Sequence, residues 1–156
     1  MTPHHRARSL AGTFAAVLVM VSCATAPPKP SKATVTLAAS KDTNPDASGR
    51  ASPVVVRVYQ LKTDAVFTGA DFFALFDDEQ KVLGQELIGR DEFVVTPAEN
   101  RIVEVAVAKT ARFVGVVAAF RDIRNAQWRV VVPAPLEKDD MTLAVERARV
   151  TFSPTK

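Results

Sequence analysis

The sequence predicts an all-β fold, a two-sheet β-sandwich with a short inserted helix, and three observations carry that prediction. Seven or so short runs rich in Val, Ile, Thr and aromatic residues alternate apolar with polar positions, the period of a strand covered on one face. Clusters of Pro, Asn, Asp and Gly separate those runs and supply turns. One segment alone, residues 68–78, recurs at three and four. The 156 residues, 47% hydrophobic and 24% charged, suffice for one domain with its own core.

The elements follow in order. "TVTL" (34–37) puts Val35 and Leu37 on one face. "VVVRVYQL" (54–61) is apolar enough for a strand buried on one face and partly covered on the other. In "TGADFFALFDD" Thr68 and Asp71 have capping-box spacing, and Phe72, Phe73, Leu75 and Phe76 form an aromatic face, with Gly84 beyond the end. This predicts a helix packed on an open edge or end of the sheet stack. "EFVV" (92–95) and "IVEVAVA" (102–108) flank Thr96-Pro97-Ala98-Glu99-Asn100 and are expected to pair as a hairpin, with Val103, Val105 and Val107 inward and Glu104 outward.

"FVGVVAAF" (113–120) and "QWRVVV" (127–132) flank residues 121–126 and predict a second hairpin, with Trp128, Val130 and Val132 inward and Arg129 outward. Pro133 and Pro135 end that strand by withholding ladder donors. "MTLAVERARVTF" (141–152) supplies a last strand, long or broken, whose first half also tolerates a helical reading. No internal repeat is visible.

Residues 1–22 follow the plan of an export signal: a basic start with Arg6 and Arg8, an apolar centre from Leu10 to Val21, and small residues before a cut. The apolar run falls short of the ~20 residues that cross a bilayer. Met20-Val21-Ser22-Cys23 resembles the lipobox of bacterial lipoproteins, with Met20 where leucine is commoner. That resemblance implies that Cys23 becomes a lipidated N-terminus, carrying acyl chains such as palmitate. The alternative is an ordinary signal peptide with a chance cysteine. Two or three chains make a lasting anchor, each buried methylene contributing roughly 0.8 kcal/mol. Ala24, where an aspartate would mark inner-membrane retention in such lipoproteins, implies sorting to the outer membrane. Residues 23–33 then form a lipidated, Pro-rich spacer and 34–156 the sandwich.

Formal net charge is +3, and removal of the leader with its two arginines brings the body near +1. Such a body has no basic stripe for nucleic acid. His4 and His5 are the only histidines and both lie in the leader. The mature chain therefore offers no Ser-His-Asp or Cys-His nucleophile and no common zinc ligand set. The acidic runs Asp77-Asp78-Glu79 and 137–140 read as a solvated helix end and a solvated loop, and "DDEQKVLG" does not make a calcium loop. No phosphate-binding glycine loop is present. The chain reads as a binding protein, with no cofactor and no enzymatic activity.

The remaining candidate is the stretch between the first two strands, Lys41, Asp42, Thr43, Asn44, Pro45, Asp46, Ala47, Ser48, Gly49, Arg50, Ala51 and Ser52. It is polar and too long for a tight turn, so it is either functional or disordered. Without an aromatic anchor, its contacts would be carried by Lys41, Asp42, Asn44, Asp46, Arg50 and backbone groups.

The order of lipobox, short strand, long loop, "VVVRVYQLK", "ADFFALF", "VVAAFRD" and "WRVVVP" resembles the TssJ (SciN-like) family of type VI secretion system lipoproteins. The resemblance spans Cys23 to about Pro133. It implies a transthyretin-like sandwich on the periplasmic face of the outer membrane. It also implies that the loop 41–52 binds the C-terminal periplasmic region of the inner-membrane protein TssM, and through it the TssL-containing membrane complex. The rival readings are a pilot lipoprotein of another envelope machine and a serine-lysine hydrolase built on Lys41, Ser48 or Ser52.

Overall fold

The computed structural model describes residues 31–134 and 140–155. Eight strands, β1 (Ser31–Ala39), β2 (Val54–Leu61), β3 (Leu87–Val95), β4 (Asn100–Val107), β5 (Phe113–Ala118), β6 (Arg129–Pro133), β7 (Met141–Val145) and β8 (Val150–Pro154), form two four-stranded sheets. One has the order β4-β1-β7-β8 and the other β3-β2-β5-β6. All pairings are antiparallel except β1 with β7. The all-β two-sheet sandwich expected from the alternation is therefore present.

Alternation places the core. Val35 and Leu37 of β1, Val54, Val56 and Val58 of β2, Val105 and Val107 of β4 and Leu143 and Val145 of β7 are buried between the sheets, while Glu104 faces solvent and pairs with Lys32 at 2.7 Å. Buried Gln60 also points between the sheets: its Nε2 donates to the Ala106 carbonyl at 2.7 Å and its Oε1 accepts from the Ala108 N–H at 2.8 Å. It thus satisfies edge-strand backbone groups that no neighbouring strand reaches.

From Tyr59 onward β2 also turns apolar groups to the outer face of its sheet. Tyr59, Leu61 and Val117 are buried there under Phe67, Leu75 and Leu83 from three short helices, α1 (Ala65–Gly69), α2 (Phe72–Asp77) and α3 (Glu79–Leu83). The expected single helix on an edge or end is thus three helices on a face. That face is apolar and has to be covered. The breaks are local. Ala70 is extended, and the Asp71 carboxylate caps α2 by accepting the Ala74 N–H at 3.0 Å, whereas Thr68 lies inside α1 and makes no capping box. Gly84, at φ +51°, ends α3. Phe72 stacks on Phe76 and meets Trp128 edge-on, while Phe73 faces solvent. Arg129, expected outward, donates to the carbonyls of Phe67 and Ala70 and so fastens α1 to β6.

The expected β3–β4 hairpin is absent. β3 pairs with β2 and β4 with β1, so the Thr96–Glu99 corner carries the chain from one sheet to the other. The Glu99 carboxylate closes that corner on the Thr96 N–H and hydroxyl, Ala39 N–H donates to the Glu99 carbonyl, and Ala98 N–H donates to the Ser40 carbonyl. The β5–β6 hairpin is present. The last run is broken, as β7 and β8 joined by the turn Glu146–Arg149, and its first half is a strand.

Candidate functional site at one end of the sandwich

Strand directions sort the connections. The β1–β2 loop, the β3–β4 corner, the β5–β6 connection and the β7–β8 turn all lie at one end. The start of β1, the points where the chain leaves β2 and enters β3, the β4–β5 turn and the end of β8 lie at the other. The candidate loop is thus separated from the chain's entry into the domain by the full length of the strands.

The loop is ordered, and its first half is framework. Thr43 is fully buried and its single hydroxyl proton is shared between the carbonyls of Val145 and Ser40, 2.9 and 2.8 Å from Oγ1. Asn44, 4% exposed, takes a left-handed backbone at φ +49°, which Asn tolerates better than most residues. Every polar group of Asn44 is used, and the partners come from three connections. Its N–H donates to the Arg147 carbonyl at 2.9 Å, Nδ2 donates to the Pro53 carbonyl at 2.7 Å, Oδ1 accepts from the Arg121 N–H at 2.8 Å, and its carbonyl accepts from the Ser52 hydroxyl. Thr43 and Asn44 therefore act as internal fasteners.

The second half projects. The Asp46 carboxylate accepts from the N–H groups of Ser48 and Arg50, both at 2.9 Å, and from Arg50 Nε at 2.9 Å, folding Asp46–Arg50 into a closed turn with Gly49 at φ +78°. These bonds hold its carboxyl below the ordinary aspartate value, the Arg50 N–H first, with the Arg50 guanidinium, the Ser48 N–H and the nearby charge of Arg121 adding. Lys41, Asp42, Ala47, Ser48, Gly49 and Arg50 are exposed, and Pro45, Asp46, Ala51 and Ser52 are half-buried. Asp42 accepts from the Ser40 hydroxyl at 2.7 Å and lies 3.6 Å from Arg147; the Ser40 bond is the main reason its carboxyl titrates low.

Between this loop and its neighbours lies a groove of about 620 Å³. Pro45 and Ala47 line it from the loop, Phe120 and Arg124 from the β5–β6 connection, and Arg147 and Ala148 from the β7–β8 turn. The arginines of "RDIRN" (121–125) and "ERAR" (146–149) were not singled out by sequence reasoning. The only signal was the density of guanidinium groups in two short turns, and nothing local says that those turns meet. Ser52 is committed to Asn44 and Arg121, since its hydroxyl donates to one and accepts from the other at 3.0 Å. Among the described residues no group of His, Cys, Asp and Glu is arranged to hold a metal. Cys23 and the spacer to Pro30 lie outside the described residues.

Residues 31–148 match the family model T6SS-SciN, described as type VI secretion lipoprotein, VasD, EvfM, TssJ. Among solved structures, the T6SS lipoprotein TssJ1 from Pseudomonas aeruginosa is 34% identical with a TM-score of 0.76, over 81% of this chain and 98% of that one. Lip from Serratia marcescens, a membrane-bound component of the type VI secretion system, is 28% identical with a TM-score of 0.72, over 81% and 97%. A chain in the structure described as the T6SS protein TssM C-terminal domain (869-1107) from EAEC is 27% identical with a TM-score of 0.67, over 80% and 99%. A search of curated proteins returned no match. The family is a structural lipoprotein component of the secretion system and not an enzyme family. Matched by the family model over most of its length and similar throughout the sandwich to solved TssJ and Lip structures, the chain belongs to the TssJ (SciN-like) family of type VI secretion lipoproteins.

Proposed function

We propose that this protein is a lipid-anchored tether on the periplasmic face of the outer membrane. Acyl chains on Cys23 hold it there, and the exposed part of the β1–β2 loop binds the C-terminal periplasmic region of TssM, helping to assemble the envelope-spanning complex with the TssL-containing inner-membrane part. The observation that carries this reading is the opposition of the two ends: β1 enters at one and leads into the loop at the other. The nine-residue strand β1, at about 3.3 Å per residue, sets the loop roughly 30 Å beyond the start of the sandwich. Likeness to a chain in the TssM C-terminal domain structure supports the choice of partner.

The test replaces only the projecting turn, Ala47-Ser48-Gly49-Arg50, with Gly-Ser-Gly-Ser. Replacement of all twelve residues would also remove the Thr43 and Asn44 fasteners. The expected result is an unchanged melting temperature with loss of TssM pull-down, and retained binding would contradict the reading. The anchor is tested separately by palmitate labelling, which Cys23→Ala should abolish together with membrane fractionation.

A further inference from the structure

The groove beside the loop carries an imbalance of charge satisfaction. Arg124 makes no ion pair or hydrogen bond among the described residues. Arg121 Nε donates only to the neutral Ser52 hydroxyl, and Arg147 reaches Asp42 at 3.6 Å with both side chains more than half exposed. Of the two carboxylates that line the groove, Asp46 is paired with Arg50 and two backbone N–H groups, while Asp122 bonds only the neutral Asn125 amide at 2.8 and 3.1 Å and keeps its charge, one carboxylate against the three arginines Arg121, Arg124 and Arg147. Guanidinium donors in excess therefore face an opening whose apolar lining comes from Pro45, Phe120 and Ala148. A guanidinium offers a planar fork of N–H donors that fits a carboxylate bidentately. About 620 Å³ suits a few side chains of a peptide segment.

We infer that this groove takes a short acidic segment of a protein partner, with Arg124 and Arg147 gripping its Asp or Glu carboxylates. The inference rests on the reading that this end of the sandwich meets TssM, and it names the chemistry that the partner must present. The end opposite to the start of β1 points away from the anchoring membrane in that reading, so a peptide carboxylate and not an anionic lipid headgroup is the occupant.

The test uses the full chain purified in detergent, with two probes: a fluorescein-labelled deca-glutamate peptide and the periplasmic region of TssM. Arg124→Glu/Arg147→Glu should weaken binding of both at least tenfold at low salt, and Arg124→Gln/Arg147→Gln by less. Lys81→Glu, on α3 at a distance from the groove, should leave both within twofold, and unchanged melting temperatures would report intact folding. If wild type and the charge-reversed variant bind TssM equally, the groove inference is overturned while the docking reading stands. If wild type does not bind TssM, the docking reading fails and the peptide alone decides: tenfold-sensitive binding supports an acidic ligand, and no binding overturns it.

Discussion

Asn44→Ala is the substitution on which the account of the site depends most directly. It removes two side-chain hydrogen bonds, from Nδ2 to the Pro53 carbonyl at 2.7 Å and from the Arg121 N–H to Oδ1 at 2.8 Å, in a residue 4% exposed. Each bond contributes about 1 kcal/mol net. Alanine must also hold a backbone of φ +49°, at a further cost of about 1 kcal/mol. The expected destabilisation is therefore about 3 kcal/mol, which for a domain of this size lowers the melting temperature by roughly 10 °C. Asn44→Gly loses the same two bonds without the left-handed strain and should fall between alanine and wild type. Thermal unfolding followed by circular dichroism measures all three. Because Asn44 ties the loop to Arg121 and Arg147, hydrogen exchange should also quicken across 43–53 and 119–127 together. An alanine variant melting within 2 °C of wild type would refute the reasoning, leaving the three connections to be held by something other than this side chain.

Three further predictions concern the scaffold. A Cβ at Gly115 would lie 2.6 Å from Phe67 Cζ, so Gly115→Ala should push the ring out of the helix layer, cost about 1–3 kcal/mol in urea unfolding, and lose much of that penalty when combined with Phe67→Ala. Gln60→Leu should cost about 2 kcal/mol and speed amide exchange at Ala108, because it deletes both bonds that β2 makes across to β4 and the turn after it. The Glu99 carboxyl is held below its ordinary 4.5, first by the Thr96 N–H and then by the Thr96 hydroxyl and Arg101. Its stabilising effect is therefore present above that value and lost as pH falls through the lower folded value, so Glu99→Gln should flatten the acid limb of a urea-midpoint titration. A limb as steep as wild type would remove Glu99 from the acid response.

Legibility in the sequence followed the range of the interaction. Val105 and Val107 could be assigned inward and Glu104 outward because a strand's two-residue period fixes sides locally. The aromatic segment was recognisable as helical, but Phe67, its most deeply buried ring, was missed because it precedes the periodic stretch. The β3–β4 corner shows the opposite case. "TPAEN" is a good turn in either context, and only the bonds from Ala39 and to Ser40, some sixty residues away in the chain, make it a crossing between sheets. The candidate loop was found by length and polarity, yet its division into buried Thr43 and Asn44 and a projecting Asp46–Arg50 turn depends on Val145, Arg147 and Arg121.

What the sequence determined by itself was the sandwich, the faces of most of its strands, the family resemblance and the stretch where a partner-binding loop should be sought, since each rests on period, turn chemistry or motif order within a few residues. Which strands share a sheet, which face the helices cover, and that arginines from two other turns flank the loop were decided only by tertiary structure. The physical reason is that backbone ladders and buried polar groups are satisfied by partners distant in sequence, and a pattern read along the chain cannot specify which of several equivalent partners will be met.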